Sequence, residues 1–250
     1  EVFRKHFSDA ADSLTEQFGL EEGSFVVDIG SNDGVFLKPL QEKGISVCGV
    51  EPAKNLSYLA EQNGVPTING YFEDESTVSQ ITQEADLVTA FNVFAHSDNL
   101  EQITRNAFQI MKPDGHFVIE VQYLYDTLKD VTFDNIYHEH YNYWSVLSLK
   151  NFFERLDLQI SHVEHVDTHG GSIRVYAARK GIYKVSDNLK KKLKKEKKNL
   201  NQKSFKRFKK NVVTSKINLF NIIKKIKDKN KTIYGVGAPS RASTLINYLG

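Results

Sequence analysis

The sequence predicts an α/β protein with a mostly parallel sheet, and three observations support that prediction. Short apolar runs alternate with amphipathic stretches over residues 25–121, an order typical of parallel strands covered by helices on both faces. Two later strand-like runs are joined by a short glycine-containing loop, which indicates an antiparallel hairpin. A lysine-rich segment at residues 190–231 then interrupts the α/β pattern.

The first half of the chain supplies the alternation. A helix is expected over residues 3–18, because apolar residues recur there at steps of three and four: Phe3, Phe7, Ala10, Leu14 and Phe18. Short apolar runs then predict buried strands, and the stretches between them predict helices. The strands are expected at residues 25–30, 45–50, 65–69 and 86–91, and the helices at residues 34–43, 53–63 and 98–111.

The second half of the chain departs from this alternation. The helix over residues 98–111 should stop at the turn Lys112-Pro113-Asp114-Gly115, before a fifth strand at residues 116–121. Ser145 is a candidate cap for a helix that runs through Asp157. Strands at residues 158–165 and 172–178 then form the predicted hairpin, which a fully parallel dinucleotide-binding sheet would not contain.

The net charge of +2 conceals a strong asymmetry. Residues 190–231 hold 17 Lys and one Arg against two acids, a local net charge of +16, and the remainder holds 15 basic against 29 acidic residues, a net of −14. One or two long helices are expected over residues 186–231, with a thin apolar stripe. A solvated connecting helix is the favoured interpretation. Steering of an anionic substrate and binding to nucleic acid or membrane are the alternatives.

The end of the chain resembles one further βα unit. Residues 232–237 predict a strand, and a helical pattern follows Pro239 up to Gly250. Because such a unit cannot bury its own core, we expect it to pack on the first domain or to begin a truncated second one. The sequence begins at Glu1 and has one methionine, Met111, so a piece of a longer or processed protein is expected.

Composition excludes several classes of protein. The single cysteine excludes an internal disulfide framework and a multi-cysteine zinc site. No apolar run approaches the roughly 20 residues of a membrane span, and no signal peptide opens the sequence. A cytoplasmic protein with no membrane partner is therefore expected.

A ligand-binding loop follows the first predicted strand. Asp28, Gly30, Ser31, Asn32 and Gly34 lie where the strand turns into a helix. Glycine lets the backbone approach a ligand closely, and the helix N-terminus offers free N–H groups. Asn32 stands where a dinucleotide fingerprint has its second glycine, so a ligand without phosphates fits better.

Further candidates for the same ligand follow the next strands. Glu51 ends the second strand, about twenty residues after the loop, where an acid accepts both hydroxyls of a ribose, and Pro52 follows it. Phe72 follows the third strand, where an aromatic ring beside an acid is placed to hold an adenine. Asn92 and Val93 follow the fourth strand, at the edge where open α/β sheets bind ligands.

Two imidazoles and a carboxylate fall within the short motif Tyr137-His138-Glu139-His140-Tyr141. The motif comes after the fifth strand, so it should lie over the carboxyl ends of the strands. A neutral imidazole tuned by an acid is suited to general-base catalysis. The alternatives are a metal site, although zinc needs further nitrogen or sulfur ligands, and a pair of half-exposed loop histidines. We predict no metal.

The Asp-x-Gly loop, the acid after the second strand and the closing hairpin, taken in order over residues 20–180, resemble class I S-adenosylmethionine-dependent methyltransferases. The resemblance implies a Rossmann-like methyltransferase sheet closed by an antiparallel β-hairpin, here with a lysine-rich helical segment and a truncated βα unit added. It also implies S-adenosyl-L-methionine as the cofactor and S-adenosyl-L-homocysteine as the product.

Four motifs narrow the resemblance to the sugar C-methyltransferase family. They are Tyr137-His138-Glu139-His140, Ala95-His96, His169-Gly170-Gly171-Ser172-Ile173-Arg174 and Gly235-Val236-Gly237-Ala238-Pro239. In that family a nucleotide-linked 4-keto-6-deoxy sugar is methylated at C3, beside the ketone. The similarity implies His140 as general base, with Glu139, His96 and Tyr137 as further catalytic residues.

The resemblance also implies where the sugar nucleotide binds. His138 and the hairpin residues His169, Gly170 and Gly171 would lie at its side of the site. Arg174 is placed to pair with a diphosphate, or it is an ordinary strand residue. Family members carry an N-terminal zinc domain and a complete second α/β domain, which this sequence does not match.

The predicted organisation has three units: a methyltransferase domain at residues 1–182, a lysine-rich connector at 183–231 and the start of a second α/β domain at 232–250. The leading hypothesis is a C-methyltransferase acting beside the ketone of a nucleotide-activated 4-keto-deoxy sugar. The alternatives are an O- or N-methyltransferase of a small molecule or RNA, and a non-catalytic platform that uses the basic helix.

Overall fold

The computed structural model describes residues 2–168, 170–237 and 239–250. Within these residues, seven strands form one sheet: β1 (Phe25–Ile29), β2 (Ser46–Glu51), β3 (Thr67–Asn69), β4 (Ala85–Phe91), β5 (Met111–Gln122), β6 (Leu158–Val166) and β7 (Ser172–Arg179). Their order across the sheet is β3-β2-β1-β4-β5-β7-β6. The first five strands run parallel to one another, and β7 is antiparallel to both β5 and β6. The predicted Rossmann-like sheet with its closing hairpin is confirmed.

Helices connect the strands and extend the chain beyond them. They are α1 (Val2–Phe18), α2 (Leu37–Gln41), α3 (Lys54–Gln62), α4 (Glu75–Val78), α5 (Leu100–Ile110), α6 (Leu124–Asp130), α7 (Val146–Arg155), α8 (Asp187–Asn199), α9 (Gln202–Lys227) and α10 (Ser240–Leu249). A 3₁₀ turn at Phe133–Asn135 lies between α6 and α7. Helices α4 and α6 were not predicted, because four and seven residues are too few to show an apolar period.

The sheet is covered on both faces, which explains why its strands read as apolar runs. All five residues of β1 are buried. Side chains alternate between the faces of a strand. Val26 accordingly belongs to the core beneath α1, α2 and α3, and Val27 to the core beneath α5 and α7.

Two predictions about local structure need correction. The turn at residues 112–115 lies inside β5 as an irregularity: Met111 pairs with Ala85 and His116 with Leu87, so the partner strand advances two residues while β5 advances five. Residues 232–237, all within the described part of the chain, form a loop instead of the predicted strand. No strand among the described residues forms backbone hydrogen bonds with them, and Tyr234 and Val236 are 84% and 97% exposed.

The lysine-rich segment is anchored to the domain through α8. Leu189 is buried in the core, and Leu193 packs against it. Glu196 is fully buried, and its two carboxylate oxygens accept hydrogen bonds from the backbone N–H groups of Val146 and Leu147, at 2.7 and 2.8 Å. These are amides that the first turn of α7 leaves without a helical partner.

The predicted cap at Ser145 is also confirmed, since its hydroxyl accepts from the backbone N–H of Ser148 in a reciprocal capping box. Helix α9 is less covered than α8, and it leaves several apolar side chains exposed: Phe205, Val213, Ile217, Phe220 and Ile222. None of the helices that the structure describes is long and apolar enough to cross a membrane.

Replacing Glu196 with Ala should lower the free energy of unfolding by about 2 kcal/mol or more, because two buried amides lose a charged acceptor. Glu196→Gln should lose less, since one side-chain oxygen remains to accept. Urea unfolding measures both. Lys197→Ala, exposed on the same helix, is the control. Equal stability of Glu196→Ala and this control would contradict the anchoring role.

Candidate active site

The site lies where the direction of the chain reverses across the sheet. From β1 the chain runs outward to β2 and β3, then crosses back to place β4 on the other side of β1. Such a reversal opens a crevice at the carboxyl ends of the strands. Two adjoining cavities of about 440 and 530 Å³ occupy it, and both are lined by Gly30, Asn92 and Val93.

The first cavity lies beyond β2. Glu51, Pro52 and Phe72 line it. The carboxylate of Glu51 is nearly buried and accepts from the backbone N–H groups of Asn32 and Ala53, at 2.9 and 2.8 Å. Each carboxylate oxygen has a second lone pair, so the group retains acceptor capacity for a ligand.

The second cavity lies beyond β1. Asp28, Ser31 and Asn32 line it, together with Phe3 and Phe7 of α1. The contribution of α1 to the site was not predicted, because an amphipathic pattern indicates only that one face of the helix packs. The chain thus brings its first helix against the loop that follows its first strand.

Asp28 is the most strongly perturbed acid of this crevice. Burial raises the pKa of Asp28 to about 7; a 2.6 Å hydrogen bond from the hydroxyl of Thr89 opposes the shift, and the charge of Glu51 adds to it. The side chain joins β1 to β4 at the wall of the second cavity.

The turns that form the crevice need left-handed backbone. Gly30 has φ +67°, and a Cβ placed there would lie 2.4 Å from Cγ2 of Val93. Asn32 and Asn92 adopt φ +55° and +59°, a conformation that asparagine tolerates better than most residues. At Gly34, with φ +80°, a Cβ would lie 2.9 Å from Cγ2 of Val65.

His140 is buried within its motif, although its neighbours in sequence are exposed. Its Nδ1 lies 2.8 Å from the backbone oxygen of Asn135. A carbonyl oxygen only accepts, so Nδ1 carries the hydrogen and the lone pair of the neutral ring is on Nε2. The ring centroids of Tyr137 and His96 lie 4.3 and 4.8 Å from that of His140.

His96 connects this cluster to the first cavity, which it lines together with Tyr141. Its Nδ1 lies 3.0 Å from the backbone oxygen of Glu139. The side chains of His138 and Glu139 are 85% and 48% exposed, and Nε2 of His138 lies 3.9 Å from Oε1 of Glu139. Glu139 therefore positions the His96 imidazole through its backbone carbonyl group.

The phenol of Tyr137 keeps its proton at neutral pH. Burial and the nearby charge of Glu139 raise its pKa, while the charge of Arg241 opposes the shift. Arg241 belongs to α10, more than a hundred residues along the chain.

The hairpin loop between β6 and β7 lies beside β5, and the residues that were predicted to bind substrate there differ in their contacts. His169 falls outside the described residues. The oxygen of Gly171 accepts from the backbone N–H of Tyr123, and a Cβ on Gly171, whose φ is +110°, would lie 2.6 Å from Oδ2 of Asp126. Gly170, at φ +82°, lies close to Thr132. The two glycines thus let the loop lie against α6.

Arg174 is not available to a diphosphate as predicted. Its Nε and Nη2 donate to Oε2 of Glu120 at 3.2 and 2.9 Å, and both side chains are buried. Breaking such a pair would leave an uncompensated buried charge. The ordinary strand interpretation therefore fits the structure, and the diphosphate interpretation is corrected.

Glu120 is a buried residue that the sequence did not single out. Its Oε1 lies 2.9 Å from Nε2 of His6 and accepts from the hydroxyl of Thr168 at 3.2 Å. Burial alone would raise the pKa of Glu120, but the bond from His6 and the charge of Arg174 outweigh burial and hold it below its usual value. An acid inside the apolar run of residues 117–121 was the available signal.

Residues 3–163, more than half of the chain, match the methyltransferase domain family. The chain belongs to that family. S-adenosylmethionine is the methyl donor of such a domain, and structures of the fold hold S-adenosylmethionine or S-adenosylhomocysteine. Residues 167–250 match a second family, the C-methyltransferase C-terminal domain.

Relatives and solved structures agree with this assignment. C-methyltransferase NovU from Streptomyces niveus is 39% identical over 176 residues, which are 70% of this chain and 42% of that protein. A mitochondrial ubiquinone biosynthesis O-methyltransferase from Rattus norvegicus is 28% identical over 104 residues, 39% of this chain and 30% of that protein. The chain thus spans less than half the length of these relatives.

The fold is shared with magnesium protoporphyrin IX methyltransferase from Synechocystis, at a TM-score of 0.56 and 14% identity. The match covers 71% of this chain and 83% of that chain. The class I methyltransferase fold predicted from the order of elements is thereby confirmed.

Gly30→Ala should weaken binding of S-adenosylhomocysteine at least tenfold, because the new Cβ must displace Val93 from the wall of both cavities. Isothermal titration calorimetry measures the affinity. Gly44→Ala is the matched control, since Gly44 has φ +82° but open space around it. It should cost about 1 kcal/mol of stability and leave binding unchanged. Equal affinities for both variants would contradict the close approach.

Asp28→Asn should remove a pH dependence of stability. The folded chain binds a proton at Asp28 below about pH 7, whereas an ordinary aspartate titrates near 3.8. Ionising the buried carboxyl therefore destabilises the wild type as pH rises through this window. The stability of Asp28→Asn relative to wild type should rise by about 2 kcal/mol from pH 5 to pH 7. Urea unfolding at both pH values tests this, with exposed Asp130→Asn as the control for removing a carboxylate. A pH-independent difference would exclude the shift.

Proposed function

We propose that the protein is an S-adenosylmethionine-dependent C-methyltransferase that acts beside the ketone of a nucleotide-activated 4-keto-deoxy sugar. The observation that carries the proposal is the buried His140, whose tautomer is fixed by the Asn135 carbonyl and whose ring packs on His96 at the wall of a cavity. The match of residues 167–250 to the C-methyltransferase C-terminal domain and the likeness to C-methyltransferase NovU support the reaction class.

The residues around the crevice fit the methyl donor. We assign the ribose hydroxyls to Glu51, an acid at the end of β2 that retains acceptor lone pairs, and the adenine to the wall formed by Pro52 and Phe72. The loop from Asp28 through Gly34, with Asn92 and Val93 opposite, would hold the remainder. When bound, S-adenosylmethionine supplies an electrophilic methyl group.

In the proposed mechanism Nε2 of His140 removes a proton from the carbon next to the ketone. In the tautomer whose Nδ1 donates to the Asn135 carbonyl, Nε2 is the nitrogen that carries the basic lone pair. Negative charge then develops on the ketone oxygen. Tyr137, protonated at neutral pH and packed against His140, is assigned to donate its hydroxyl hydrogen to that oxygen. His96, held by the Glu139 carbonyl, orients the cluster toward the donor cavity.

The choice of a sugar nucleotide as the substrate rests on the resemblance of the sequence motifs. We assign His138, Gly170 and Gly171 to its side of the site, and Arg174 is omitted because Glu120 engages it. The three-unit division at residues 1–182, 183–231 and 232–250 and the cytoplasmic location stay predictions.

The O-methyl alternative has support of its own. Five other relatives are named ubiquinone biosynthesis O-methyltransferases, and each matches between 98 and 106 residues. Oxygen methylation removes no proton from carbon, so the two reactions make different demands on His140.

His140→Ala should slow proton removal from the substrate carbon at least 10²-fold, because the general base is lost. The measurement is exchange of the C3 hydrogen of a nucleoside diphosphate-linked 4-keto-6-deoxy sugar in D₂O, followed by NMR with S-adenosylhomocysteine present. Affinity for S-adenosylhomocysteine should not change. His162→Ala on β6 is the matched histidine control. Undiminished exchange in His140→Ala would reject the base role, and methylation of a phenol at undiminished rate would favour the O-methyl alternative.

A further inference from the structure

Helix α10 lies against the segment that leads into the catalytic motif. Nε of Arg241 donates a hydrogen bond to Oδ2 of Asp134 at 2.9 Å, and Nη2 lies 2.7 Å from the same oxygen in an ion pair. The hydrogen bond is charge-assisted, so it is stronger and more directional than one between neutral groups. Both side chains are about one third exposed, so the pair is partly shielded from water.

Two further contacts bind the same segment to α10. The hydroxyl of Thr244 donates to the backbone oxygen of Ile136 at 3.0 Å. The rings of Tyr248 and Phe133 meet edge to face, with centroids 5.3 Å apart. The three contacts involve Phe133, Asp134 and Ile136, so α10 contacts both ends of the segment and its acidic side chain.

The residue enclosed by these contacts is Asn135. Its side chain is buried, and its backbone oxygen is the acceptor that fixes the tautomer of His140. That carbonyl belongs to the peptide group between Asn135 and Ile136, and α10 holds the residues on either side of it: the side chain of Asp134 and the backbone oxygen of Ile136. A path of direct contacts therefore runs from α10 through the 3₁₀ turn to the imidazole.

We propose that Arg241 is a positioning residue, and that its ion pair with Asp134 keeps the Asn135 carbonyl directed at His140. This inference rests on the proposed base role of His140. Half-exposed ion pairs contribute at most about 1 kcal/mol to stability. Loss of the pair should therefore affect the alignment of the base more than the folding of the chain.

Two other roles for Arg241 make different predictions. A purely structural residue would alter stability and leave the tautomer and the rate unchanged. A direct ligand for an anionic substrate group would alter KM, and Asp134 would then matter little. Either result would overturn the positioning role.

The experiment compares Arg241→Gln, Arg241→Lys and Asp134→Asn with the wild type. Asn247→Ala is the control, because Asn247 is exposed on α10 and its side chain donates only within the helix. Long-range ¹H–¹⁵N correlation spectra report which nitrogen of His140 carries the hydrogen. Deuterium exchange at the substrate carbon gives kcat and KM for proton removal.

Arg241→Gln and Asp134→Asn should each lower kcat about tenfold or more, with little change in KM, because small misplacements of a reacting group are costly. In both variants the ¹⁵N shifts of His140 should move toward averaged tautomers. Arg241→Lys should restore part of kcat, and the double variant should be no slower than either single one. If Arg241→Gln unfolds α10, Asp134→Asn breaks the same ion pair with an isosteric side chain.

An unchanged His140 spectrum in Asp134→Asn would overturn the inference. The spectra also separate it from the proposed function, because they require no substrate. A shifted tautomer together with undiminished exchange in His140→Ala would retain the coupling and reject the base role.

Discussion

The parallel pairing of β1 with β4 is the constraint on which the site depends. Asp28 is paired with Thr89 across these strands, and the hydroxyl-to-carboxyl bond of 2.6 Å joins them inside the sheet. The connection after β1 runs toward one edge of the sheet, to β2, and the connection after β4 runs toward the other edge, to β5. The carboxyl ends of β1 and β4 therefore border an open crevice. Gly30 and Asn92 then turn the backbone through left-handed conformations at the rims of that crevice. The strand order therefore creates the space of the two cavities, whichever side chains line them.

Backbone carbonyl groups contact the two imidazoles of the cluster. The oxygens of Asn135 and Glu139 face Nδ1 of His140 and His96. A carbonyl oxygen only accepts, so each contact places a ring hydrogen on Nδ1. The position of the proposed base is therefore only as well defined as the loop that carries the carbonyl, which gives contacts from α10 to that loop a functional meaning.

Two buried acids join elements that are far apart along the chain. Glu120 binds His6 of α1 and Arg174 of β7, next to the crevice. Glu196 satisfies the first amides of α7 from within the lysine-rich helix. Each acid is compensated by specific donors, which a buried charge requires. Helix α8 of the basic segment is thereby anchored to the sheet domain, and two of its lysines, Lys192 and Lys195, lie over the rings of Tyr123 and Tyr125.

Local patterns in the sequence were enough to predict the order of strands and helices along the chain, the closing hairpin, the Asp28 to Gly34 turn and the acid at Glu51. These features follow from periodicity and turn chemistry, which a short window of residues contains. The pairing of Glu120 with Arg174, the exposure of the Glu139 side chain and the loop at residues 232–237, which no strand among the described residues pairs with, emerge only from the folded chain. Hydrogen-bond partners and burial depend on residues that are distant along the chain, so no local pattern encodes them.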